Sequence, residues 1–325
     1  MLIPSVAILI GFIVLIWSAD MFVSGAASIA ENIGMSPIII GLTIVSLGTS
    51  APEVIVSIIA AMSDAGELAV GNAIGSNIAN TALVLGVTLI IAPFVVHESC
   101  MKQEMPALII VTLGVGLLLL DGTISKFDGY FMMSALFLIL YQMVRSQTGE
   151  TSTLTEEAMD EPLPHLKPSR AWLNFIAGLA LLISSSHVLV WGAGEIAELW
   201  GVSQLVIGLT VVAIGTSLPE LAATVASAIR GHTEIALGNI IGSNLFNLLG
   251  VMSIPGMIHG QALEPGVLSR DYASMTGIIL ILALGMMVSR RRKASLNGHP
   301  YLGRTMGTLL LSLYGLYYYW LFMTI

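Results

Sequence analysis

Two glutamates lie where an apolar environment should exclude them. The strings GLTIVSLGTSAPE (residues 41–53) and GLTVVAIGTSLPE (208–220) end on Glu53 and Glu220, each well inside a long apolar stretch. An ionised side chain at that depth costs roughly 3 kcal/mol even on a lenient insertion scale. The neighbouring residue types suit a cation. Pro52 and Pro219 each remove a backbone donor and free the carbonyl four residues earlier, at Gly48 and Gly215. Thr-Ser pairs add hydroxyls. Carbonyls, hydroxyls and a carboxylate form an all-oxygen set, which hard cations such as Na⁺ and Ca²⁺ prefer; Ca²⁺ takes about 6–8 such ligands. Histidine and thiolate, which zinc or copper would favour, are missing from both strings.

A second pair of strings repeats at the same offset of 167 residues: GNAIGSNIAN (71–80) and GNIIGSNLFN (238–247). Ser76 and Asn80 are four apart and so share a helix face, as do Ser243 and Asn247. Gly71, Gly75, Gly238 and Gly242 form small-xxx-small pairs that permit close helix approach. Taken singly, each feature has a plain structural reading: a proline kink, a hydroxyl bonded back to its own helix, a packing glycine. Their joint recurrence, twice and in step, favours a site where two equivalent halves meet. Two carboxylates about 5 Å apart at an effective dielectric near 20 repel by roughly 3 kcal/mol. An empty, doubly charged site is therefore disfavoured, and a cation or protons should fill it.

The elements that position these groups must be membrane-spanning helices. Hydrophobic residues make up 56% of the 325, charged residues 10%, and mean hydropathy is +0.91; a soluble core cannot absorb so much apolar surface. A crossing needs about 20 apolar residues. Ten stretches qualify: 3–24, 36–62, 68–92, 105–121, 127–145, 172–194, 203–229, 234–258, 272–289 and 303–324. The expected fold is an all-α membrane protein, with residues 1–146 and 172–325 forming two five-helix repeats and 147–171 a polar, acidic linker. An odd number of spans per half makes the repeats inverted. The first apolar run aligns with the internal segment from Leu182 and reads as the first span rather than a removed leader. Cys100 is the single cysteine, so no disulfide forms within the chain, and no basic or aromatic platform suggests nucleic acid.

Lysine and arginine fall ten to two on the side of the loops that follow spans 1, 3, 5, 7 and 9, the Arg290–Lys293 cluster among them. That bias places the linker in the cytoplasm and both termini outside. Glu156, Glu157, Asp160 and Glu161 in the linker read as a solvated tether. Asp20 and His187 are aligned partners toward the ends of spans 1 and 6, and Tyr317–Trp320 read as an interfacial belt.

The paired strings resemble the α-repeats of the cation/Ca²⁺ antiporter superfamily, which includes the sodium/calcium exchangers, and the resemblance extends over most of the chain. It implies that Glu53 and Glu220 are central ligands shared by Ca²⁺ and Na⁺, with Thr49 and Thr216 adding oxygen to Ca²⁺. Ser50, Ser217, Ser76 and Ser243 would line flanking Na⁺ positions with the carbonyls of Ala213 and Ser46, and Asn80 and Asn247 would border the centre. Some members carry aspartate at the position of Asn247. This chain has an amide on both sides, which leaves the centre with two carboxylates. The resemblance also implies that spans 1 and 6 slide against a fixed core. The small size is similar to prokaryotic members and implies a multi-pass protein of the bacterial inner membrane. No cofactor and no obligatory protein partner is expected; Ca²⁺, Na⁺ and the lipid bilayer are. A Ca²⁺/H⁺ antiporter using the same glutamates is the alternative. An intramembrane hydrolase would need a nucleophile–base pair, and Ser50 and Ser217 have no histidine nearby in sequence. A channel would need a continuous pore lining.

Overall fold

Backbone polar groups buried in hydrocarbon must be satisfied within their own segment, so long apolar runs close into helices. The computed structural model describes residues 2–63, 65–147, 166–201, 213–264, 266–291 and 299–324. In chain order the helices are α1 (Leu2–Ile33), α2 (Pro37–Thr49), α3 (Ala51–Met62), α4 (Gly66–Ile91), α5 (Cys100–Asp121), α6 (Lys126–Gln147), α7 (Pro168–Leu199), α8 (Ala213–Thr216), α9 (Leu218–Ile229), α10 (Thr233–Ile258), α11 (Val267–Arg290) and α12 (Arg304–Thr324).

Among the described residues, six of these (α1, α4, α5, α7, α10 and α11) are long and apolar enough to cross a membrane. The α2–α3 pair, bent by 47°, makes a seventh if it is one broken span. Helices α6 and α12, of 22 and 21 residues, are not among these six; α6 carries its charges near its two ends and α12 is rich in tyrosine. Residues 203–212 of the expected seventh stretch lie outside the described residues, as do 148–165 of the linker (Glu156, Glu157, Asp160 and Glu161 included) and Arg292 and Lys293 of the basic cluster.

Two apolar clusters divide the molecule. Helices α1 and α7, 32 residues each, pack on one another and make most of the smaller cluster, with Phe22, Val23, Ala171 and Leu182 at its centre. Small residues set this contact. A Cβ on Gly25 would meet the Phe175 nitrogen at 2.5 Å, and one on Gly178 would meet the Phe22 nitrogen at 2.6 Å. Both helices stop at a glycine in the left-handed region, Gly34 (φ 69) and Gly201 (φ 81). The larger cluster gathers α2, α4, α5, α10 and α11, with α10 buried along nearly its whole length.

Two small antiparallel clips tie the halves together. β1 (Phe94–Val95) pairs with β4 (Tyr301–Leu302), and β2 (Thr123–Ile124) pairs with β3 (Gln261–Ala262). Beside the first clip, Glu98 bonds both Lys102 and Arg290 at 3.0 Å. The Lys102 ammonium holds its carboxyl below the usual carboxylate range.

Candidate cation site

The site is built where helices break. Pro52 and Pro219 stand in the first turns of α3 and α9, and the residue just before each helix leaves helical geometry: Ser50 at φ −84°, ψ 5° and Ser217 at φ −88°, ψ 2°. Each break sets a glutamate in the first turn of the helix that follows, where backbone N–H groups favour negative charge. Glu53 and Glu220 are both 1% exposed. They are near enough to act on one another electrostatically. Ser50 Oγ donates to Glu220 Oε1 at 3.3 Å, so a hydroxyl from the first string reaches the carboxylate of the second.

The asparagine strings close round this pair. Asn80 and Asn247 each lie in a turn of π-helix, over Ala79–Val84 and Phe246–Val251, again 167 residues apart. Single π turns inside α-helices widen the helix locally and recur at functional sites. The Asn80 turn packs against α9, which bears Glu220, and the Asn247 turn packs against α3, which bears Glu53. Where the two long helices cross, Asn77 Nδ2 donates to the Asn244 carbonyl at 3.3 Å, and Asn244 Nδ2 donates to Thr81 Oγ1 at 2.8 Å. Asn239 accepts from Thr49 Oγ1 at 3.1 Å and donates to Thr224 Oγ1 at 2.9 Å.

Buried polar atoms are almost always hydrogen-bonded, so exceptions call for an explanation. Among the described residues, most of the exceptions fall in the repeated strings. Glu53 Oε2, Glu220 Oε2, both side-chain polar atoms of Asn80 and of Asn247, Ser217 Oγ and Ser243 Oγ are buried without a protein partner. All belong to the repeated strings.

Other expected ligands are placed less simply. The Thr49 hydroxyl also bonds the Ser46 carbonyl at 3.3 Å, and that carbonyl takes the Ser50 N–H at 2.9 Å. The Ser46 hydroxyl bonds back to Leu42 at 2.6 Å. Ser76 is buried and Thr216 is half-buried on α8. Ala213 opens α8. The carbonyl freed at Gly215 is not left open: Ser186 of α7 donates to it at 2.7 Å. Asp20 and His187 do not face a common partner. Asp20 pairs with Arg230, while His187 is exposed. Tyr317, expected in an interfacial belt, bonds Asp271 at 3.1 Å.

Sequence reasoning missed Thr81, Thr224, Ser186 and the π turns. Only Ser186 had a usable signal, since a proline-freed carbonyl needs a donor from somewhere. No group of three or more His, Cys, Asp or Glu occurs among the described residues, so any cation held at the centre depends on amide, hydroxyl and carbonyl oxygen as well as the two carboxylates.

The model of the sodium/calcium exchanger protein family matches residues 4–145 and 170–323. The chain belongs to this family. The family is one of membrane antiporters, not enzymes, and the protein is a multi-pass membrane protein of that kind. It is 41% identical to CaxA, an inferred antiporter of Alkalimonas amylolytica, over 99% of each chain. It is 39% identical to the inner membrane protein YrbG of Escherichia coli, over 87% of this chain and 89% of that one. Among solved structures, the sodium-calcium exchanger NCX_Mj superposes with a TM-score of 0.81 at 30% identity, covering 97% of both chains.

Proposed function

We propose that this exchanger-family protein carries Ca²⁺ against Na⁺ by alternating access at a site built on Glu53 and Glu220. The observation that carries the reading is the buried, unpartnered side-chain oxygens of Glu53 and Glu220 and of Asn80 and Asn247, equivalent residues of the two halves. Its ligand set is Glu53, Glu220, Ser50, Ser217, Ser76, Ser243, Asn80 and Asn247, with Thr49 and Thr216 beside the carboxylates and the Ser46 and Ala213 carbonyls at the margin. Two facing carboxylates repel when bare and are balanced by a divalent cation or by monovalent ones. Filled states can cross and the empty state resists crossing, so exchange becomes obligatory without ATP.

The architecture we propose is ten spans in two inverted repeats, 1–146 and 172–325, joined by a cytoplasmic linker, with both termini outside. The direct Asn77–Asn244 bond between residues one repeat apart supports it, because symmetry-related groups touch only near the axis. The clips do so too, each joining one half to the other. Both features suit an inverted pair with near-equivalent inward and outward states.

Protons could serve as the counter-ion at the same two carboxylates. Reconstituted vesicles loaded with Na⁺ at equal pH, and vesicles carrying only a pH gradient, separate the two. Na⁺/Ca²⁺ exchange predicts uptake of Ca²⁺ in the first and little in the second. Uptake in neither would defeat the antiport reading altogether.

Ser50→Ala should weaken Ca²⁺ uptake by about 10- to 100-fold. It removes one hydrogen bond to a carboxylate, worth about 1.5–3 kcal/mol, while Glu220 itself remains. The apparent affinity for Ca²⁺ in that variant is the readout, and an affinity equal to the parent's would remove Ser50 from the site.

A further inference from the structure

We infer that the Asp20–Arg230 ion pair is a one-sided latch, favouring the state in which α1 is docked on the Arg230 end of α9. The inference rests on the alternating-access reading above. The guanidinium of Arg230 reaches Asp20 Oδ1 through both Nε and Nη2. The partners come from different mechanical units. Asp20 lies within α1, and α1 and α7 are locked together at Gly25 and Gly178 by approaches too close for any side chain. Arg230 caps α9, the helix that carries Glu220, and the chain turns away at Gly231 (φ 77). A cation at a helix C-terminus is favoured by the helix dipole, so Arg230 is held in place and Asp20 comes to it. Any sliding of the α1–α7 unit past the core must part the two.

The equivalent positions of the other half hold no such pair. One repeat length from Asp20 stands His187, and one repeat length from Arg230 stands Ser63; both are exposed. In an inverted-repeat exchanger the second state forms when α7 takes, relative to the first half, the position that α1 holds here relative to the second. His187 would then approach Ser63, and a histidine–serine contact cannot replace an ion pair. The two states therefore differ by one salt bridge, and the bias lies toward the state closed at the Arg230 face, which the charge distribution of the loops assigns to the cytoplasm.

The pair is part-exposed, at 47% for the Asp20 side chain and 32% for Arg230. Exposed ion pairs contribute modestly, so the expected shift in the two-state ratio is about 2- to 5-fold. Asp20→Asn and Arg230→Gln should each lower the half-saturating Ca²⁺ concentration at the Arg230 face by that factor, and the double variant should add little to either. The exchanged pair Asp20→Arg with Arg230→Asp should move the value back toward the parent's, which a merely structural role would not do. A cysteine pair, Asp20→Cys with Arg230→Cys, should stop Ca²⁺ uptake on oxidation and recover it on reduction; the single native cysteine, Cys100, is buried. Unchanged half-saturation in both single variants, or full uptake with the disulfide formed, would overturn the latch. Absence of Ca²⁺ uptake in the unmodified protein would instead overturn the transport reading, because disulfide formation between positions 20 and 230 can be followed without any flux.

Discussion

Glu53→Gln and Glu220→Gln should each reduce Ca²⁺ uptake into Na⁺-loaded vesicles by at least about 100-fold, since the bound divalent cation would lose one of the two carboxylates that balance it, and losing one partner of a buried pair of opposite charges costs about 3–5 kcal/mol. The losses should be alike, because the residues hold equivalent places in the two halves and both are 1% exposed. Neither change should unfold the protein. Glutamine keeps the shape and removes one of two charges that repel each other in the empty site. Ca²⁺ should raise the melting temperature of the parent, as a ligand of the native state does, and leave that of either variant unmoved. Near-parental uptake by either glutamine variant would dismantle the proposed site.

The second large effect concerns packing. A Cβ on Gly238 would lie 2.5 Å from the Ile38 carbonyl oxygen and 3.0 Å from the Gly41 Cα. These are backbone atoms that cannot rotate away. Gly238→Val should therefore push α10 off α2 and displace Asn239 from Thr49. Overpacking in cores costs about 1–3 kcal/mol when side chains can adjust, and here the cost belongs at or beyond the upper end. The check is thermal stability of the detergent-solubilised protein beside Gly114→Val, where a Cβ would meet nothing within 4 Å. Equal melting temperatures for the two variants would mean that the α2–α10 approach does not need glycine.

The candidate site could be named from the sequence because its strings are written twice. A lone glutamate in an apolar run is ambiguous, and a lone proline more so. Glu53 with Pro52, and Glu220 with Pro219, at one offset point to a shared architecture. The helix breaks were equally visible, since proline's missing N–H acts locally. The π turns at Asn80 and Asn247 were not. A π turn differs from an α turn by one residue of slack, and its stability comes from what packs against it rather than from its own side chains.

The amino-acid order alone determined that this chain lives in a bilayer, that it is doubled, and that it sets two carboxylates at equivalent places in apolar runs, because hydropathy and repetition are properties of the string itself. The tertiary structure decided who bonds to whom: Ser50 with Glu220, Ser186 with the freed Gly215 carbonyl, and Asp20 with Arg230 rather than with anything near His187. Those pairings join residues 29 to 210 positions apart. No local preference encodes such distances; they follow only when helices are close-packed and each buried polar group must find a partner from whichever neighbour the packing supplies.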